Sequence, residues 1–138
     1  MHVTIEAIRN IIQDRAPADN SIENDLFFSD EEIVDAMKRT AAAYNAMAPI
    51  GVDNVNYRAM PAETSVFSDG VLAHLYKAAI NKIARNLITW STGSTNIDIY
   101  KTRLDAFKAL HQMHEESFKS AGKERKMEIN RSLAYGYY

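Results

Sequence analysis

Two long stretches of helical apolar spacing, separated by a polar turn of six residues, constrain this chain more than any other feature. Residues 64–90 place apolar side chains on most of the helix surface, which is typical of a central, buried helix. Gly70 interrupts that pattern and marks either close helix packing or a break. Residues 97–121 repeat large side chains at intervals of four and three, which predicts one packing face; that face consists of Tyr100, Leu104, Phe107, His111, His114 and Phe118. Because the turn at residues 91–96 is short, we expect the two helices to pack antiparallel.

Two shorter helices are predicted before this pair. Residues 4–15 place three isoleucines on one helix face, and residues 28–33 (FSDEEI) have the pattern of a helix start. There Ser29 precedes Glu32 by three residues, the spacing of a capping box. Pro49 is expected to lie beyond the end of that helix. The predicted fold class is therefore all-α: a four- to five-helix bundle with a long antiparallel C-terminal helix pair and an extended C-terminal tail.

The last part of the chain differs in composition from the rest. Residues 122–138 contain 4 Lys and Arg, 2 Glu, and three tyrosines among the last four residues. Gly122 is predicted to end the preceding helix. We therefore divide the chain into a helical domain at 1–121 and an extended basic and aromatic docking tail at 122–138. The residues expected to dock on a partner are Lys123, Arg125, Lys126, Ile129, Arg131, Leu133, Tyr135, Tyr137 and Tyr138.

Three roles are open for this tail. Tyrosines are enriched at protein interfaces, which favours docking on another protein, where the tail would order, for example by adding a strand to a sheet. The basic residues and tyrosines are also suited to phosphate contacts and base stacking, although Glu124 and Glu128 make the electrostatic footprint modest. The third reading is a tail that stays disordered.

The two halves of the chain carry opposite charge. Residues 1–69 hold 5 Lys and Arg against 12 Asp and Glu, and residues 70–138 hold 11 against 6. One interpretation is that the halves dock on each other within one chain. The other is that the acidic face of one subunit meets the basic face of the next, since complementary potentials set the register of a contact. Such head-to-tail contacts close into rings when the rotation permits.

Composition and spacing also bear on chemistry. The chain has no cysteine, which excludes disulfides, Cys-ligated zinc and thiol nucleophiles. No apolar run reaches the roughly 18–20 residues of a membrane span, and the first residues lack the layout of a secretory signal, so no membrane partner is expected. His111, His114 and Glu115 have a spacing found at metal sites, but zinc needs three or four ligands and the remaining histidines do not match. We predict no catalytic residues, no metal and no cofactor, hence no enzyme; an enzyme built on these three residues is the third alternative.

The order of several segments is informative in combination. They are residues 8–15, 25–33 and 44–49, an alanine-rich helix with Asn81 and Arg85-Asn86, residues 100–107, and Ile129-Asn130-Arg131 near a Gly- and Tyr-containing end. In this order they resemble the small helical head–tail connector proteins of tailed bacteriophages, also called neck adaptor or head-completion proteins. In that family an all-helical core assembles as a ring beneath the portal, and an extended C-terminal segment engages the portal or the next ring.

The resemblance implies a structural virion protein at the phage neck that is assembled in the host cytoplasm and joins the portal and head to the tail. Residues 1–121 would then be the connector domain. The implied partners are other copies of the chain in a ring of about twelve subunits, the portal protein, and other neck or tail-completion proteins, with non-specific proximity to DNA in the channel. The alternative from another class is a small helical nucleic-acid-binding or regulatory protein that uses the basic tail.

Overall fold

The computed structural model describes residues 1–12, 28–90 and 97–135, and gives only the backbone at 86–90, 97–100 and 135. These residues form four α-helices and one 3₁₀ helix: α1 (Ile5–Ile12), α2 (Asp30–Asn45), the 3₁₀ helix Tyr57–Ala59, α3 (Ser65–Trp90) and α4 (Ile97–Tyr135). Within the described ranges there is no strand, only an isolated bridge between His2 and Pro61. The all-α prediction is confirmed. The predictions for residues 13–15, for the turn at 91–96, and for Tyr137 and Tyr138 lie outside the described residues.

The first two helices begin at the residues that the sequence indicates. Thr4 Oγ1 accepts a hydrogen bond from the Ala7 amide at 3.1 Å, which caps α1. Ser29 Oγ accepts from the Glu32 amide at 3.1 Å, and Glu32 accepts from the Ser29 amide at 3.3 Å, so the capping box at the start of α2 is complete. The side chains flanking this cap, Phe28 and Ile33, are both buried and so fix the direction in which the chain enters α2.

α3 is the central helix of the fold, and glycine allows its neighbours to approach closely. An added Cβ at Gly70 would collide with Thr40 of α2 and would lie 2.9 Å from the Phe118 ring of α4. Gly70 therefore marks close packing of three helices and not a break. Next to this contact, the Tyr44 and Phe67 rings meet edge to face with centroids 4.8 Å apart, and both residues are fully buried.

α3 and α4 pack as a long antiparallel pair, as predicted. The Phe107 and His114 rings of α4 lie on either side of Tyr76, with centroids 5.7 Å and 5.6 Å from it. His111 Nδ1 donates to the Ala73 carbonyl at 2.8 Å, and His114 contacts Asp69. Positions along α4 thus rise as those along α3 fall, and the predicted histidine-containing face is the one that α4 packs on α3.

α4 is longer than the sequence indicates, and this corrects the fold prediction. It continues through Gly122 without interruption to Tyr135, so the expected extended conformation is wrong for residues 122–135. A Cβ at Gly122 would lie 3.0 Å from the sulfur of Met47 and 3.5 Å from the Tyr44 ring. Glycine at this position lets α4 pass close to the end of α2, and a glycine inside a helix costs only about 1 kcal/mol relative to alanine, which this packing offsets.

Candidate interaction surfaces

The second half of α4 is attached to the rest of the fold by a buried lysine. Lys126 is fully buried, and its Nζ donates to the main-chain carbonyls of Asn45 at 3.3 Å and Met47 at 2.9 Å. It also lies 5.0 Å from the centre of the Tyr44 ring. Burial lowers the pKa of Lys126 below its ordinary value. Since the carbonyls at the end of a helix have no partner within that helix, Lys126 satisfies the end of α2 from α4.

An ion pair strengthens the same attachment. Arg125 Nε donates to Asp53 Oδ2 at 2.9 Å, and the Tyr44 hydroxyl donates to the same oxygen at 2.6 Å. Burial disfavours the charge on Arg125, but the hydrogen bond and charge of Asp53 outweigh it, so the pKa of Arg125 is raised. Burial and the neighbouring Asp53 likewise raise the pKa of Tyr44. We call Tyr44, Asp53, Arg125 and Lys126 the anchor.

The anchor changes the charge that the predicted tail presents. Of its four basic residues, two belong to the anchor, and Lys123 and Arg131 are exposed. Glu124 and Glu128 are exposed as well, so the solvent-facing charges of residues 122–135 balance. The sequence prediction of a basic surface therefore does not hold for this helical segment.

Apolar side chains persist on α4 beyond the anchor. Helical spacing places Ile129 and Leu133 on the face that holds Phe118 and Lys126. Ile129 is half-buried, whereas Leu133 is 56% exposed. We call residues 129–135 the α4 end; they include four predicted docking residues, of which Tyr135 is described only as backbone. The face of α4 that packs on the rest of the fold at Phe118 and Lys126 thus continues into a segment where its apolar side chains are exposed.

The histidine motif of α4 makes contacts between and within helices instead of converging on one point. His114 Nδ1 donates to Asp69 Oδ1 at 2.9 Å, whereas His111 Nε2 lies 3.4 Å from Glu115. No group of three residues that could hold a metal ion occurs in the described part of the chain. Ser117 Oγ donates to Asp69 Oδ2 at 2.9 Å, so the serine bonds to the carboxylate and not to a histidine that could act as its base. The hydrogen bonds of His114 and Ser117 with Asp69 join α4 to α3.

Ion pairs and a hydrogen bond join the acidic and basic halves within one chain. Lys82 Nζ lies 2.6 Å from Glu32, Arg125 pairs with Asp53, and His114 contacts Asp69. The pKa of Glu32 falls below its ordinary value; burial acts to raise it, but the bonds from Lys82 and Ser29 outweigh this. Part of the charge difference between the two halves thus serves contacts within one chain. This was the first of the two interpretations given above, in which the halves dock on each other.

The positive charge of the second half is concentrated where the sequence reading did not place it. Residues 77–108 hold six Lys and Arg against two Asp. Among them, the exposed ones on α3 and α4 are Lys77, Arg85, Lys101, Arg103 and Lys108. In an antiparallel helix pair, residues far apart in sequence lie side by side. If this register is applied to the charged residues as well as to the apolar ones, it predicts basic side chains on both α3 and α4.

No family model, no curated protein and no solved structure matches this chain. Within the described ranges, no helix combines the length and apolarity needed to cross a membrane.

Proposed function

We propose that this chain is a structural virion protein that forms a ring at the neck of a tailed bacteriophage and joins the portal and head to the tail. The all-α fold with a long α3–α4 pair is compatible with the connector family that the sequence segments resemble. The proposal assigns the chain no turnover, no metal and no cofactor. Its partners are other copies of itself, the portal protein and neighbouring neck or tail-completion proteins.

The observation that carries this proposal is the exposed apolar face of the α4 end. Leu133 lies seven residues beyond Lys126, about 10 Å further along the helix, and more than half of its side chain is exposed. An apolar helix face that continues past its own core is a surface suited to a second protein. We propose that this end inserts into a groove of the portal or of the next ring.

The mode of docking differs from the one that the sequence suggested. An extended tail would add a strand to a partner sheet, whereas a helix presents side chains three and four residues apart to an apolar groove. Ile129 and Leu133 have that spacing, and Arg131 borders them. Because Arg125 and Lys126 hold the preceding turn in place, the α4 end is presented in a fixed orientation, which lowers the entropy cost of binding.

A matched pair of substitutions tests this function. Leu133→Asp places a charge in the proposed contact, and Met113→Asp places the same charge at a methionine of α4 that is 54% exposed, almost as much as Leu133. We expect the unmodified protein and Met113→Asp to form rings of fixed copy number on a purified portal ring, as measured by native mass spectrometry and electron microscopy. Leu133→Asp should remain off the portal while keeping its helix content by circular dichroism.

Two results would contradict the proposal. One is an unmodified chain that neither forms a ring nor binds the portal ring at any concentration tested. The other is equal portal binding by Leu133→Asp and the unmodified protein, which would remove the α4 end from the contact. A monomer in the absence of the portal would not decide the question, because a template can order assembly.

The alternative function, nucleic-acid binding through the tail, is weakened by the anchor. Only Lys123 and Arg131 of its four basic residues are exposed, and two exposed glutamates offset them. The electrostatic attraction that dominates non-specific binding to nucleic acid is therefore small at this end of α4.

A further inference from the structure

The chain that follows α2 carries no polar side chain for seven residues. This segment, residues 46–52 (AMAPIGV), begins directly after Asn45, the last residue of α2. Ile50 lies in the middle of it and is 80% exposed, more than Leu133 at the α4 end. Exposed apolar side chains grouped on a surface mark sites that contact other proteins. We call residues 46–52 the apolar turn.

Hydrogen bonds within the apolar turn and at its base fix its shape. The Val52 amide donates to the Pro49 carbonyl at 3.4 Å, and Gly51 has a φ of +85°, which glycine adopts in tight turns without strain. At the base, the Asn45 side chain donates to the Val55 carbonyl at 2.9 Å and accepts from the Val55 amide at 2.8 Å. Because the turn is ordered before a partner binds, little conformational entropy is lost on binding.

Both ends of the apolar turn contact the same part of α4. Near its start, the Met47 carbonyl accepts a hydrogen bond from Lys126 Nζ at 2.9 Å. Directly after its end, Asp53 accepts from Arg125 Nε at 2.9 Å. Ile50 is three residues from Met47, and three residues of extended chain span at most about 10 Å. The exposed tip therefore lies close to the part of α4 from which the α4 end continues.

The apolar turn lies next to the face of α4 that carries the exposed leucine. Lys126 and Leu133 are seven residues apart and therefore share one helix face. The Lys126 side chain extends toward Met47, since its Nζ donates to that carbonyl. Ile129 lies on the same face between these two residues and is half-buried. Beyond the end of α2, this face of α4 and the apolar turn thus border each other.

The charges near this junction restrict the kind of partner. The carboxylate of Asp53 is neutralised within the anchor. Glu124 and Glu128 are each two residues from Lys126, which places them on the opposite side of α4. Lys123 is three residues from Lys126, so it lies on the same side, and it is exposed. A partner that fits here offers an apolar groove bordered by neutral or acidic side chains.

We infer that the apolar turn and the α4 end form one docking surface, which binds a single apolar groove of a partner protein through Ile50 and Leu133 together. The inference rests on the proposed function for the identity of that partner, the portal ring, and it adds a second contact to that function. A helix end that is inserted alone can rotate about its own axis. Two contacts at fixed positions determine how the subunit is oriented on the portal.

Ile50→Asp tests the new contact, and Ile11→Asp is its matched control. Ile11 is 52% exposed on α1, whose Arg9 pairs with Asp30 at the start of α2, whereas the apolar turn follows the other end of α2. Ile50→Asp should weaken binding to a purified portal ring about tenfold or more, as measured by biolayer interferometry, because an apolar contact is lost. Ile11→Asp should bind like the unmodified protein, and circular dichroism should show equal helix content in all three.

Photo-cross-linking tests whether both contacts reach the same groove. The chain has no cysteine, so Ile50→Cys, Leu133→Cys and Ile11→Cys each provide one attachment site for a benzophenone maleimide. Each variant is labelled before it is mixed with the portal ring and irradiated. Mass spectrometry should find the labels at positions 50 and 133 attached to neighbouring portal segments, whereas the label at position 11 should not attach there.

The outcomes separate this inference from the function on which it rests. If Leu133→Asp loses portal binding and Ile50→Asp keeps it, the inference is wrong and the proposed function stands. If the unmodified protein does not bind the portal ring, the proposed function is wrong and the inference with it. Binding to vesicles of phosphatidylcholine and phosphatidylglycerol that Ile50→Asp abolishes would also overturn the inference, in favour of a membrane surface as the partner of the apolar turn.

Discussion

The two ends of α4 use the same residue types for opposite purposes. Near its C-terminal end, Arg125 and Lys126 are turned inward, where Asp53 and the carbonyls at the end of α2 hold them. Near its N-terminal end, Lys101 and Lys108 are exposed to solvent. One pair of basic residues stabilises the fold, and the other pair contributes to a charged surface. The difference comes from what lies opposite each segment, because the end of α2 and the loop at Asp53 meet α4 at Arg125 and Lys126.

The comparison shows why composition is a weak guide to a binding surface. Residues 122–138 are richer in positive than in negative charge, yet the exposed charges of residues 122–135 balance once the fold forms. Buried charged groups are retained only when partners satisfy them, and the anchor supplies those partners.

Truncation after Ala121 should have the largest effect. It removes Arg125 and Lys126, leaves Asp53 without its cation, and uncovers the Tyr44 and Phe67 rings. We expect a loss of about 5 kcal/mol or more in the free energy of unfolding, which is comparable with the whole stability of many domains. Urea denaturation followed by circular dichroism measures this loss.

Truncation after Arg131 is the control for that experiment, because it keeps the anchor. Its stability should stay within about 0.5 kcal/mol of the full chain. Equal stability of both truncated proteins would show that residues 122–138 are a separable tail, as the sequence suggested.

Leucine substitutions compare the buried centre of α3 with the N-terminal part of α4. Leu75 of α3 is 1% exposed, and Leu75→Ala should cost about 2 to 5 kcal/mol through the cavity it leaves. Leu104 of α4 is only partly buried, so Leu104→Ala should cost about 1 kcal/mol. Thermal and urea unfolding of both variants give the comparison, and equal losses would contradict the difference in packing between the two regions.

A single substitution isolates the buried lysine. Lys126→Ala removes a fully buried side chain and leaves the carbonyls of Asn45 and Met47 without their donor, so we expect a loss of about 3 kcal/mol. Lys126→Met should recover part of this loss because it restores the apolar stem. Lys123→Ala, one turn away and exposed, should change stability by less than about 0.5 kcal/mol. If both lysine-to-alanine variants unfold at the same urea concentration, Lys126 does not anchor α4.

The smallest effect concerns pH. Burial, Arg39 and Lys77 lower the pKa of His74 from its ordinary value of 6.5. The folded chain therefore resists protonation of His74: the stability due to the neutral ring is present above pH 6.5 and is lost as the pH falls through the lowered pKa. His111 and Glu115 on α4 also act on this ring. Melting temperatures between about pH 5 and about pH 8 should fall less steeply with acid in His74→Gln than in the unmodified protein, and parallel curves would contradict this assignment.

Local signals in the sequence predicted local structure well. The spacing of Ser29 and Glu32 predicted the start of α2 because a capping box involves only neighbouring residues. The apolar spacing of residues 64–90 likewise predicted α3 to within one residue. At Gly70 the sequence left close packing and a break as alternatives, and the neighbouring Thr40 and Phe118 show that it is close packing. The interval of four and three in α4 located its packing face.

The length of α4 and the placement of its charges could not be predicted in this way. Gly122 has the sequence pattern of a helix stop, and only the proximity of Met47 shows that it serves close packing instead. Of the residues expected to dock on a partner, Leu133 and Arg131 are exposed, whereas Lys126 is buried. Asp69 contacts His114, which is 45 residues away along the chain, so no local sequence pattern indicates this contact.

The helix starts, the all-α class and the antiparallel pairing of α3 with α4 could therefore be predicted without coordinates, since they depend on side-chain periodicity and on caps within a few residues. The tertiary structure decided which basic residues face solvent, because a lysine is buried only where carbonyls from another element reach it. It also decided that α4 continues to Tyr135, because contacts with the end of α2 stabilise the turns that follow Gly122.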